Sequence, residues 1–148
     1  MAVGDPAVLL RILVSLFLVL ETANVVLLYL SPGSRRGNAV GFFAGWESSE
    51  GDADLHDFVR YLVFWVAGTK VIVIALWLVI LLVGDVTTQV WASVVMVPAI
   101  ATFYWRLFPL IRRLDARGLI VPSGYSTVLG WMIAGFIAAF VVGIAVAV

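Results

Sequence analysis

Cysteine is absent from this chain, and histidine occurs once among its 148 residues. Without cysteine there are no disulfides, thiolate metal sites or cysteine nucleophiles, and the redox compartment stays open. No nucleophile–base–orienter set, HExxH motif or phosphate-cradling glycine loop is present either. An enzyme is therefore the least favoured class, with a lipid-modifying enzyme built on loop carboxylates and His56 as its one surviving form. Charge is scarce as well: 12% of residues carry it, about half the roughly 25% of soluble proteins. Nine acidic residues offset nine basic ones, so no global field points to nucleic acid as a partner. No cofactor is implied.

What remains is apolar. Hydrophobic residues make up 64% of the chain and mean hydropathy is +1.14, against about 45–50% apolar in soluble domains. A soluble fold of this length would have to face much of that side chain to water, so the lipid bilayer is the expected solvent. Four segments, near 6–30, 57–83, 86–108 and 124–147, can each span a core that takes roughly 20 helical residues. No period-two alternation suggests a transmembrane β-barrel. The expected fold is an all-α integral membrane protein of one domain, four helices in an antiparallel bundle. A short interfacial amphipathic helix is expected between the third and fourth.

The boundaries carry their own signals. The first run lacks a signal-peptide pattern, because Asp5 precedes its apolar core, Arg11 lies within it and Glu21 interrupts it. Pro6 suits a first helical turn, and Ser31-Pro32-Gly33 ends the helix. Asp54 and Asp57 read as an N-cap and an acidic first turn. Gly84-Asp85 is a tight link that makes the second and third helices antiparallel neighbours. Arg35, Arg36, Arg60, Arg106, Arg112, Arg113 and Arg117 fall at one end, and only Arg11 near the other. Positive charge stays inside, so loops 31–56 and 109–123 are expected in the cytoplasm and both termini outside, in the plasma membrane. Tyr61, Trp65, Trp91, Tyr104, Trp105 and Tyr125 read as interfacial anchors.

Two loops are more than connectors. Val40 to Trp46 is apolar but too short to span, so an interfacial or re-entrant segment is expected, with Gly37, Gly41 and Gly45 in a close-packing rhythm. In the second, Pro109 starts and Gly118 ends an amphipathic helix. Leu110, Ile111 and Leu114 are expected to face lipid. Arg106, Arg112, Arg113 and Arg117 are its candidate contacts to anionic headgroups.

Within the spans, only Glu21 and Lys70 carry charge near mid-depth. A charge there costs about 2.5–3.5 kcal/mol on insertion scales, so such residues find each other or line a cavity. Glu21 lies nine residues from Leu30 and Lys70 ten from Arg60, which puts them at one depth. Their side chains lean apart, so Asn24, one turn from Glu21, is a candidate bridge, with Thr22 and Thr69 as weaker ones. Pro98 is a candidate kink. Gly135, Ala139, Gly143 and Ala147 form a small-residue stripe for helix packing. His56 sits in the acidic run Glu47, Glu50, Asp52, Asp54 and Asp57, which lacks an EF-hand pattern and reads as a solvated face. The expected function is non-catalytic: a subunit, accessory protein or homo-oligomeric scaffold. The alternative is a small transporter or proton-conducting unit centred on Glu21, Asn24 and Lys70.

Overall fold

The computed structural model describes residues 7–148; the expected role of Pro6 lies outside the described residues. Among the described residues six α-helices follow one another: α1 (Ala7–Leu30), α2 (Ala44–Ser49), α3 (Ala53–Val83), α4 (Val86–Ala101), α5 (Leu107–Ala116) and α6 (Tyr125–Ala147). Single 3-10 turns cover Val40–Phe42 and Thr102–Tyr104. Four stretches are long and apolar enough to cross a membrane: α1, α3, the run Val86–Ala116, and α6. The chain is an all-α, multi-pass membrane protein with four spans.

The spans form the expected antiparallel four-helix bundle, opened along one side into a row. α3 packs on α1, α1 on α6, and α6 on α4, while α3 and α4 touch sparsely. α3 and α4 are antiparallel neighbours across the Gly84-Asp85 link, as expected from the sequence. The turn joins them at one end, and beyond it each finds a better partner. The row has a dry core at the turn end, where Leu10, Val14, Leu18, Trp77 and Phe140 are buried together. Gly143 lets α1 and α6 approach there, since a Cβ on it would lie 3.0 Å from Leu13 and 3.1 Å from Leu10.

Several boundaries differ from expectation. α3 begins at Ala53, and its cap is Asp52, whose carboxylate accepts from the N–H groups of Asp54 and Leu55. Asp54 is therefore inside the first turn, where a carboxylate still suits the helix dipole. The third span does not run as one helix to Phe108. It leaves α-geometry after Ala101, three residues past Pro98, which cannot donate to the ladder. α5 starts at Leu107, before Pro109, and ends where Gly118 takes φ +70°. Leu119 N–H reaches Leu114 C=O and Gly118 N–H reaches Asp115 C=O, a Schellman closure.

At the arginine-rich end the two long connectors fold onto each other. Ala44 N–H bonds Leu119 C=O and Val121 N–H bonds Phe42 C=O, both at 2.9 Å, around a Phe43–Ile120 bridge. Ile111, Ile120 and Leu129 form a core beneath them with Phe42, Phe43 and Leu114. Ile111 and Leu114 therefore face protein, not lipid; only Leu110 of the expected trio is exposed. Tyr104 and Tyr125 are likewise tied inward, through hydroxyls that donate to the carbonyls of Gly130 and Gly37. Trp65, Trp91 and Trp105 are exposed. Gly41 is required by a close approach, because a Cβ on it would lie 1.9 Å from the Gly33 carbonyl oxygen. Gly45 has open space around it, so the glycine rhythm of this loop is not one contact surface.

Candidate functional site

Polar side chains within the spans gather in two places. The first is mid-row. Lys70 on α3 and Glu21 on α1 form an ion pair between Nζ and Oε2, with side chains 27% and 20% exposed. Their helices meet closely because small residues face α1: Ala67 is fully buried and Gly68 lies against Tyr29. Lys70 is the only lysine in the chain, beside eight arginines. All three Lys70 donors cannot be met by one carboxylate oxygen, and the described residues give its ammonium no other acceptor.

The pair faces a cavity of about 440 Å³. Phe17 and Glu21 of α1, Trp65 to Ile74 along one face of α3, Ile100 of α4, and Ile133 and Phe136 of α6 line it. It exists because α3 and α4 diverge from their turn. Lys70 also borders a second cavity of about 280 Å³, reached by Leu28, Val63, and Asn38 and Val40 of the first connector. The lysine thus stands between two hollows.

Asn24 does not join the pair. Its Oδ1 accepts the N–H of Asn38 at 2.9 Å, which pins the first connector onto α1. Its Nδ2 is buried without a hydrogen-bond partner. The bridging role expected for Asn24 is corrected: a backbone N–H in the connector offers it a nearer partner than the ion pair does. Thr69 donates to Trp65 C=O one turn back, so its hydroxyl is also spent elsewhere. Thr22 is exposed, away from Glu21's partner.

The second polar cluster has no counterpart among the expected sites. Gln89, 2% exposed on α4, donates to Gly84 C=O at 3.0 Å and, at 3.4 and 3.5 Å, to those of Leu81 and Ile80. It accepts from Arg11 Nε at 3.1 Å. Ser93, fully buried, donates back to Gln89 C=O. One amide thereby serves the orphan carbonyls at the end of α3 and receives the arginine of α1. The signal was available: Gln89 is a polar residue inside an apolar helix, four positions after the Asp85 cap.

The other candidates divide. Gly143 is in the α1–α6 contact, whereas a Cβ on Gly135 would meet nothing within 4 Å. Ala139 and Ala147 are half-buried. Within this chain the α1–α6 crossing uses the Gly143 end of the stripe. Arg106, Arg112, Arg113 and Arg117 are exposed, with Arg106 over Trp105 and Arg112 over Phe108. His56 is no solvated loop residue. Its Nδ1 lies 2.9 Å from the hydroxyl of buried Ser49, and its ring meets Trp46 edge-on. Ser49 also donates to Trp46 C=O, so this trio clamps α2 to the start of α3. No three His, Asp or Glu side chains converge for a metal among the described residues.

Comparison with protein-family models, with curated proteins and with solved structures found no match. The function is therefore read from chemistry and packing alone.

Proposed function

We propose that this chain is a non-catalytic membrane protein that works by association, as an accessory subunit or homo-oligomeric scaffold. The observation that carries the reading is the open row. α3 and the run Val86–Ala116 bury 11% and 6% of their most apolar windows, against 33% for α1. Between them runs a seam of about 640 Å³ lined by Trp77, Trp91, Val95 and Met96. A helix laid in that seam would cover the open side of the bundle, with dispersion contacts and not water release as the driving force. The test is mass measurement of the intact protein from native membranes in nanodiscs. An assembly heavier than one chain supports the reading, and a lone chain at all loadings counts against it.

We further propose that the arginine-rich end is cytoplasmic, that its exposed arginines meet anionic headgroups, and that the membrane is the plasma membrane. The arginine asymmetry supports this under the positive-inside rule. Cysteines placed at Ser48 and Arg117, both exposed, should resist an impermeant thiol reagent in intact cells, while one at Thr87 should react. Reaction at the first two would reverse the orientation.

A second reading, a small transporter or proton-conducting unit, has one specific support: Lys70 borders two cavities. Proton or cation flux into proteoliposomes that is abolished by Lys70→Met would favour it over the scaffold.

A further inference from the structure

We propose that the cavity at Glu21 and Lys70 is a binding site for a neutral membrane lipid with a hydroxyl head, of the long-chain or isoprenoid alcohol type. This goes beyond association between chains, because the site is built within one chain.

The size and lining come first. About 440 Å³ lies within the range of roughly 300–1,000 Å³ for small-molecule sites, which are apolar with a few convergent polar groups. Phe17 and Phe136, edge to face at 5.8 Å, with Ile74 and Ile133, supply the apolar wall. Trp65, 62% exposed, and Val66, 51% exposed, stand on its lipid-facing side.

The head group follows from hydrogen-bond arithmetic. Lys70 spends one donor on Glu21 Oε2, and Glu21 Oε1 receives no hydrogen bond among the described residues. An ammonium has three donors and a carboxylate two accepting oxygens, so the pair offers donors and an acceptor side by side. A hydroxyl satisfies both with one small group: it accepts from Lys70 and donates to Glu21. Charge narrows the class. The pair is neutral as a unit, so a carboxylate, phosphate or quaternary ammonium head would leave one net charge in an apolar cavity, which is strongly disfavoured. Thr69, which also lines the cavity, is committed to Trp65 C=O and does not compete.

The test uses the full chain in nanodiscs with three probes sharing one brominated alkyl chain: an alcohol, a carboxylic acid and an alkane. Bromine quenches the indole of Trp65 on the cavity wall, and Trp65→Phe assigns the signal. The alcohol should quench saturably, at a mole fraction about tenfold or more below the other two, as expected for hydrogen bonds to charged groups. Lys70→Met should erase that preference. Val73→Phe, which adds bulk to the cavity wall without a second indole and leaves the ion pair in place, should weaken the alcohol's binding and decides the matter if Lys70→Met does not fold. Equal quenching by all three probes, tighter binding of the acid, or alcohol binding undiminished by Val73→Phe would overturn the proposal. Chain stoichiometry measured on the same discs reports on association separately, so either idea can fail alone.

Discussion

The two polar clusters of this protein solve the same problem differently. At the turn end, Gln89, Arg11, Ser93 and the last carbonyls of α3 meet in a packed region. The Gln89 amide has both its oxygen and its nitrogen engaged, and Leu10, Val14 and Phe140 fill the space around. Mid-row, Glu21 and Lys70 hold each other but border a cavity, and more than half of their hydrogen-bonding capacity is unspent. Low dielectric raises the stakes for both. A saturated cluster can only hold helices together, whereas an unsaturated one at a cavity is open to a ligand, a proton or a partner. The contrast fits a holding role for the first and, under the proposal above, a binding role for the second.

The largest effect should come from breaking the mid-row pair from one side. Glu21→Gln or Lys70→Met leaves an unmatched group and should destabilise the protein by about 3–5 kcal/mol. The double variant should recover much of that, because an apolar replacement of both partners is often near neutral. Unfolding in detergent followed by circular dichroism measures it. Additive losses would mean the pair is not coupled, and the contrast drawn above would collapse.

Next comes the packing of the turn end. Gly143→Leu drives a side chain into Leu10 and Leu13 and should cost about 1–3 kcal/mol by overpacking. Gly135→Leu, in open space on the same helix, should change stability little. Equal midpoints for the two variants would remove the α1–α6 crossing as the reason for the dry end. Gln89→Leu should follow at about 1–3 kcal/mol, the cost of leaving buried polar groups without a partner. Unlike the mid-row variants, it should leave alcohol binding unchanged once folded, and altered binding would show the two clusters to be one.

The spans, the short α3–α4 turn and the arginine asymmetry were legible because each rests on local composition: length, hydropathy and charge. So were Glu21 and Lys70 as costly residues, and the lean of their side chains did not prevent contact because the lysine stem is long. Less visible was anything set by tertiary choice. Asn24 chose a connector N–H over a carboxylate one turn away. Ile111 and Leu114 chose the Phe42–Phe43 segment over lipid, since nothing in the α5 pattern shows that a second loop would cover it. The splay of α3 from α4 depends on which helix packs better against α1 and α6, and that follows from Ala67, Gly68 and Gly143 acting together. Gln89 was readable in principle, as an uncharged polar residue in a span, but attention to formal charge passes over an amide.

The smallest expected effect concerns the turn that starts this divergence. Asp85 caps α4 by accepting from Thr88 N–H at 2.8 Å. The side-chain hydrogen bond with Thr88, then its backbone N–H, hold the Asp85 carboxyl below its ordinary value of 3.8. A carboxyl depressed in the folded state stabilises above its unfolded pKa, and that contribution fades as pH falls through the folded pKa. Because Asp85 is fully solvent-facing, the loss should be slight and confined to pH below about 4. Asp85→Asn keeps a capping oxygen without the charge. It should match the parent in midpoint at neutral pH within the scatter of the other variants, and lose the acid dependence. Hydrogen exchange at Thr88 reports the cap directly: faster exchange in Asp85→Ala but not in Asp85→Asn is expected. Were Asp85→Ala instead to loosen Gln89 and Ser93 as well, the turn would be part of the saturated cluster, and the dry end would begin at the cap itself.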